Sequence, residues 1–177
     1  MSEQPIDFSY YGQSFQEKIV QSLLTDFVWA SQMAEVIKVD YFDKNYLKFL
    51  ASKYFEYYAK YKSFPTITLL VSIMKDELKV GNDEILREQV VAFLRKISTN
   101  PDVSDLPYVK EKSLDFCRKQ AFKEALLKSV DLIKDNKLEE VMTLMKGALA
   151  AGQSSSVGHD FFEEMEARHT DITRDCI

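Results

Sequence analysis

The chain has 177 residues, of which 46 % are apolar, so it suits one domain of ordinary size with an appendage and can bury a real core. Its formal net charge of −5 argues against a free-standing binder of duplex DNA, because such binding rests on cationic groups displacing counterions from phosphates. No stretch is long and uncharged enough to span a membrane, and the opening "MSEQPIDFSYYGQSF" lacks the basic start and apolar run of a secretory leader. The expected compartment is therefore the cytoplasm, with Cys117 and Cys176 as reduced thiols. Only 5 Gly and 4 Pro leave little material for sheet turns, which points to an all-α fold.

The first helix is expected in "SFQEKIVQSLLTDF", where Ser14 and Glu17 have capping-box spacing and Ile19, Val20, Leu23, Leu24 and Phe27 follow at helical intervals. A short helix in "WASQMAEVI" comes almost at once. The stretch "DKNYLKFLASKYFEYYAKYKSFP" reads as a third helix capped by Asp43, which must stop near Ser63 and Phe64 because a residue before proline is steered out of the α region. Its tyrosines alternate with lysines. That pattern suits bases stacking on rings, but equally an amphipathic helix with wet hydroxyls, and the acidic balance favours the second reading. A fourth helix follows Thr66 or Thr68, with Ile67, Leu70, Val71, Met74 and Leu78 as its core stripe. "DEILREQVVAFLRKI" gives a fifth, its acids first and its bases last, as the helix dipole prefers.

"STNPDVSDLP" is the sharpest boundary, and it closes a helical head (1–104). A long helix from about Tyr108 to Lys134, the tight connection "KDNK" and a second helix from Leu138 read as an antiparallel hairpin (105–151). Leu138, Val141, Met142, Met145, Ala148 and Leu149 form the stripe by which the second helix meets the first. Phe116, Phe122, Leu127 and Leu132 fall outside the narrowest seam, so a second surface is expected there, an oligomer interface. "AAGQSSSVG" then reads as a flexible linker, and the remainder (152–177) carries six acids against two arginines, a local balance of −4. Within it Phe161, Phe162 and Met165 share one side of a short helix that Asp160 can cap, an amphipathic docking tail.

Chemistry is not written in this pattern. There is no glycine-rich phosphate loop, His159 and His169 have no metal-binding spacing, and the acids are scattered over helix faces. No catalytic, metal or cofactor residue is expected on this chain.

Taken in order, these parts resemble the N-terminal region of DnaB-family hexameric replicative helicases, of a phage type, over about Gln16 to Ile177. "EKIVQSLLTD" is similar to the family's opening helix, with Glu17, Val20, Leu24 and Asp26 near its marked positions. The run from "VDYFDKNY" to "SFPTITLLVSIMKDEL" is similar to its aromatic helix followed by Pro and a Thr-Leu helix. "SDLPYVKEKSLDFCRKQAFKEA" resembles the start of its hairpin, and "VGHDFFEEMEARHTDITRDCI" its linker helix. The resemblance implies an oligomerisation and partner-recruitment domain that pairs with copies of itself, up to a hexamer, and docks primase or a helicase loader. ATP, Mg and single-stranded DNA would then belong to an ATPase domain that this sequence lacks, and the tail would dock on that domain of a neighbouring subunit. Independently of the resemblance, the alternative is a self-contained all-helical adaptor or helicase loader.

Overall fold

The computed structural model describes residues 6–80 and 83–153, with side chains to Leu78 and again from Asp83. Among the described residues all regular structure is helical: α1 (Gln13–Thr25), α2 (Phe27–Ala34), α3 (Asn45–Tyr61), α4 (Ile67–Val80), α5 (Glu84–Thr99), α6 (Leu106–Lys134) and α7 (Leu138–Ala150), plus short 3-10 turns at Phe8–Tyr11 and Val39–Tyr41. The all-α expectation holds. None of these helices is long and apolar enough to cross a membrane.

Helix α1 is central because its apolar residues occupy more than one face. Ile19, Val20, Leu23 and Leu24 are all buried, and the helix touches the first 3-10 turn, α2, α3 and α6. Its start differs from the expected capping box. Gly12, at φ 83°, precedes a helix that begins at Gln13 without a side-chain cap. Glu17 faces the tertiary structure instead, where it accepts from the Tyr46 hydroxyl at 2.7 Å and pairs with Lys96 at 2.8 Å. Asp43 likewise caps nothing in α3. Its carboxylate accepts from the buried Gln16 amide at 2.8 Å, while its own N–H donates to the Gln16 Oε1 at 2.9 Å. This reciprocal pair satisfies a buried amide and fixes the loop before α3 against α1. Three local caps form as well: Asp26 accepts from the Trp29 N–H at 3.0 Å, Thr66 from the Leu69 N–H at 3.3 Å and Asp83 from the Leu86 N–H at 3.0 Å.

The end of α3 is set by Lys62 in the left-handed region (φ 55°), three residues before Pro65. Phe64 then folds back and stacks on Tyr58 and Tyr54, with ring centroids 4.2 and 5.0 Å apart. Tyr54 is buried and donates its hydroxyl hydrogen to the Leu23 carbonyl. The tyrosines of α3 therefore begin as core and grade outward to the exposed Tyr61.

The boundary at 104/105 does not separate two cores. Lys18 donates to the Ser104 carbonyl at 2.7 Å and pairs with Asp102 at 3.2 Å, so the proline-containing segment is tied to α1. The first third of α6 then enters the head: Val109, Phe116 and Cys117 belong to the same buried cluster as Phe8, Ile19 and Leu47. At 1.5 Å per residue α6 is about 44 Å long, more than the head can cover. Farther on it buries Ala125 and Ser129 on the side where α7 runs back along it, joined through a short turn at Asp135–Lys137. The small side chains let the two helices approach closely.

Glu17 predicts an acid sensitivity. Burial pushes its carboxyl up, but hydrogen bonds from Lys96, Tyr46 and Gln13 outweigh that and hold it below the usual 4.5. A depressed folded value means the stabilisation is present above the unfolded value and is lost as pH falls through the folded one. In urea titrations from neutral to about pH 3, Glu17→Gln should start less stable and lose less stability than wild type. Equal slopes would show that Glu17 plays no part in the acid limb.

Candidate functional site

The outer part of the hairpin has no cover among the described residues. No residue of α7 is buried, and on the distal part of α6 only Ala125 and Ser129 are. On α6, Phe122, Leu126, Val130 and Ile133 recur at i, i+4, i+8 and i+11, one flank of the helix beside the α7 seam. On α7, Leu138, Met142, Met145 and Leu149 recur at i, i+4, i+7 and i+11. The two stripes lie on the same side, because Phe122 and Leu126 share one shallow groove with Ala148 and Leu149. The opposite groove is lined largely by charge: Lys128, Asp131, Asp135, Glu139 and Glu140 surround Leu132 and Leu144. The hairpin thus has one broad side with an apolar stripe on each helix, bordered near the head by Asp115, Arg118, Lys119 and Lys123, and a second side that is predominantly acidic.

Each residue expected at an oligomer interface has a distinct place. Leu127 is the most open, 63 % exposed, next to the α6 stripe. Phe122 is half-buried at the inner edge of the apolar side. Leu132 is half-buried too, but on the acidic side, in line with Ala125 and Ser129. Phe116 is a correction: it is 4 % exposed, and its ring meets Phe8 at 5.0 Å and Tyr41 at 5.2 Å, inside the head. The N-terminal turn supplies those partners, and nothing in the helical spacing around Phe116 could announce them. The α7 stripe is also corrected. Val141, Leu144, Met145 and Ala148 are half-buried, whereas Leu138, Met142 and Leu149 are exposed, so one row of apolar residues serves two surfaces. Leu126, Val130 and Ile133 are not singled out by the sequence pattern, although their helical spacing from Phe122 was the available signal. Phe161, Phe162 and Met165 lie outside the described residues.

The base of the hairpin is anchored. Lys38 forms an ion pair with Glu124, Lys110 pairs with Asp26 at 2.8 Å, and the Gly152 N–H donates to Glu35 Oε2 at 2.9 Å. These contacts set the direction in which the apolar side projects.

Other chemistry is muted. The Cys117 thiol is fully buried and burial pushes its pKa up, which keeps it protonated and poorly nucleophilic. No three His, Cys, Asp or Glu side chains among the described residues are grouped to hold a metal ion. Along α3, Tyr46 and Tyr54 are buried and Lys53 is held between Glu56 and Glu77, as an amphipathic core helix requires.

The chain matches no protein-family model, and no curated protein is significantly similar to it.

Proposed function

We propose that this chain is an N-terminal oligomerisation and partner-recruitment domain of a replicative DNA helicase. The observation that carries the reading is the apolar side of the hairpin. Two adjacent helices that expose parallel apolar stripes have the layout of half a four-helix bundle, and a second copy of the same hairpin supplies the other half. Exposed apolar area of this extent on a folded domain marks an interaction surface. The head would remain outside the bundle and accessible to primase or a loader. ATP, Mg and single-stranded DNA would be handled by the ATPase domain of such a helicase. A self-contained adaptor or helicase loader is the second reading, favoured by an apolar groove between α4 and α5 that Lys75, Arg87 and Arg95 border.

The test is Leu127→Asp. Leu127 contributes almost nothing to the chain's own core, so a charge there should leave helicity and melting near wild type yet oppose burial between copies. Sedimentation velocity should show wild type as an oligomer and the variant shifted toward monomer. A monomeric wild type, or a variant that sediments identically, would remove the basis of this reading.

A further inference from the structure

A second apolar opening lies in the head, between α4 and α5. Val71, Met74 and Leu78 on one wall face Val90, Val91 and Leu94 on the other, around a volume of about 270 Å³. Met74, Val90 and Leu94 are buried, while Val91 stays 37 % exposed at the mouth. Among the described residues every charged one lining the groove is a cation: Lys75 from α4, Arg87 and Arg95 from α5. Glu84 and Glu88 share the outer flank of α5 with the two arginines. The ion pairs that tie α4 to α3 and α5 to α1 use other cations, Lys53 with Glu77 and Lys96 with Glu17. An apolar floor with a basic rim selects an apolar ligand edged with acid.

The chain carries such a segment. Phe161, Phe162 and Met165 fall at i, i+1 and i+4, and Asp160, Glu163, Glu164 and Glu166 surround them. We propose that the α4–α5 groove seats the segment 160–168 of this chain, with its two phenylalanines on the floor and its glutamates on Lys75, Arg87 and Arg95. The dimensions agree. Arg87 and Arg95 are eight residues apart on one helix, about 12 Å, and nine residues wound as a helix span about 14 Å. Charge agrees as well: the body as a whole is nearly neutral, but this rim is locally cationic, opposite a segment in which Asp160, Glu163, Glu164 and Glu166 stand against Arg168 alone, a balance of −3. A run this short cannot hold a helix alone, so its order would come from the groove. The assignment does not depend on the hairpin assembling copies of the chain.

Methyl-labelled NMR of the full chain tests it. Phe161→Ala combined with Phe162→Ala should shift the methyl resonances of Met74, Leu78, Val91 and Leu94 and leave those of Ile19 and Leu47 in place. Arg87→Glu combined with Arg95→Glu should move the backbone resonances of 160–168, and so should high salt. Sedimentation of the Phe161/Phe162 variant should match wild type, because the hairpin is untouched. Groove methyls that ignore the Phe161/Phe162 variant overturn the proposal. If they respond to Leu127→Asp instead, the groove is covered by a second copy. If they respond to neither, it is left to a foreign partner.

Discussion

Replacing Phe116 with Ala should destabilise the whole domain by about 3–5 kcal/mol, the cost of removing a large aromatic ring from a closed core. The ring is the point at which three parts of the chain meet: the N-terminal turn through Phe8 at 5.0 Å and Tyr11 at 6.4 Å, the second 3-10 turn through Tyr41 at 5.2 Å, and α6 itself. Phe8 is fully buried and also meets Phe42 at 5.3 Å and Tyr41 at 5.8 Å, so these rings would hold their places around the void and the cavity left by Ala would stay open. Urea unfolding followed by far-UV circular dichroism measures the effect, with the midpoint shifted strongly down and a single transition retained. The contrast with Leu127→Asp is diagnostic. One substitution should lower stability, the other should lower assembly, although the two residues lie three turns apart on one helix. A Phe116→Ala variant as stable as wild type would mean that α6 is not part of the head's core.

The second large effect is expected at Gly152. Its φ is 69°, and a Cβ there would meet Leu114 Cδ1 at 3.1 Å, Arg118 Cγ at 3.2 Å and Val36 Cγ1 at 3.3 Å. The left-handed backbone costs a side-chain-bearing residue about 1–2 kcal/mol, and overfilling a closed contact costs about 1–3 kcal/mol more. Gly152→Val should therefore cost about 2–5 kcal/mol and loosen the end of α7 from α2, breaking the Gly152 N–H bond to Glu35. Hydrogen exchange should quicken along α7 more than along α1. Gly147 is the internal control. It lies within α7 with open space around its missing Cβ, so Gly147→Ala should stabilise the helix by about 0.5–1 kcal/mol. Opposite signs at two glycines five residues apart would locate the anchor of the hairpin at 152; equal effects would not.

Much of this architecture is legible in local pattern, because local pattern is what a helix needs. Leu70, Met74 and Leu78 are buried at the spacing that predicted them, and Thr66 caps α4 as expected, whereas Asp26, read as part of the first helix, caps the second instead. Capping went astray at Ser14 and Asp43. There a partner distant in sequence displaced the local one: Tyr46 and Lys96 take Glu17, and Gln16 takes Asp43. A buried side chain accepts whichever partner satisfies it away from water, and only the fold brings that partner near.

The same division runs through the candidate site. By itself the sequence determined that the chain is helical, that α6 outruns the head and that the region around Phe122 and Leu127 carries more apolar surface than one seam can use. Periodicity reports which residues share a face, and a helix twenty-nine residues long cannot hide inside a small head. Only the tertiary structure decided which face goes where. Phe116 fell to the head because the N-terminal turn folds over it, Leu132 turned toward the acidic side, and Leu126, Val130 and Ile133 joined Phe122 as the open stripe. The basic rim of the α4–α5 groove is likewise a product of assembly. Lys75 comes from one helix, Arg87 and Arg95 from another, and a charge becomes a rim only when two helices set it around the same apolar floor.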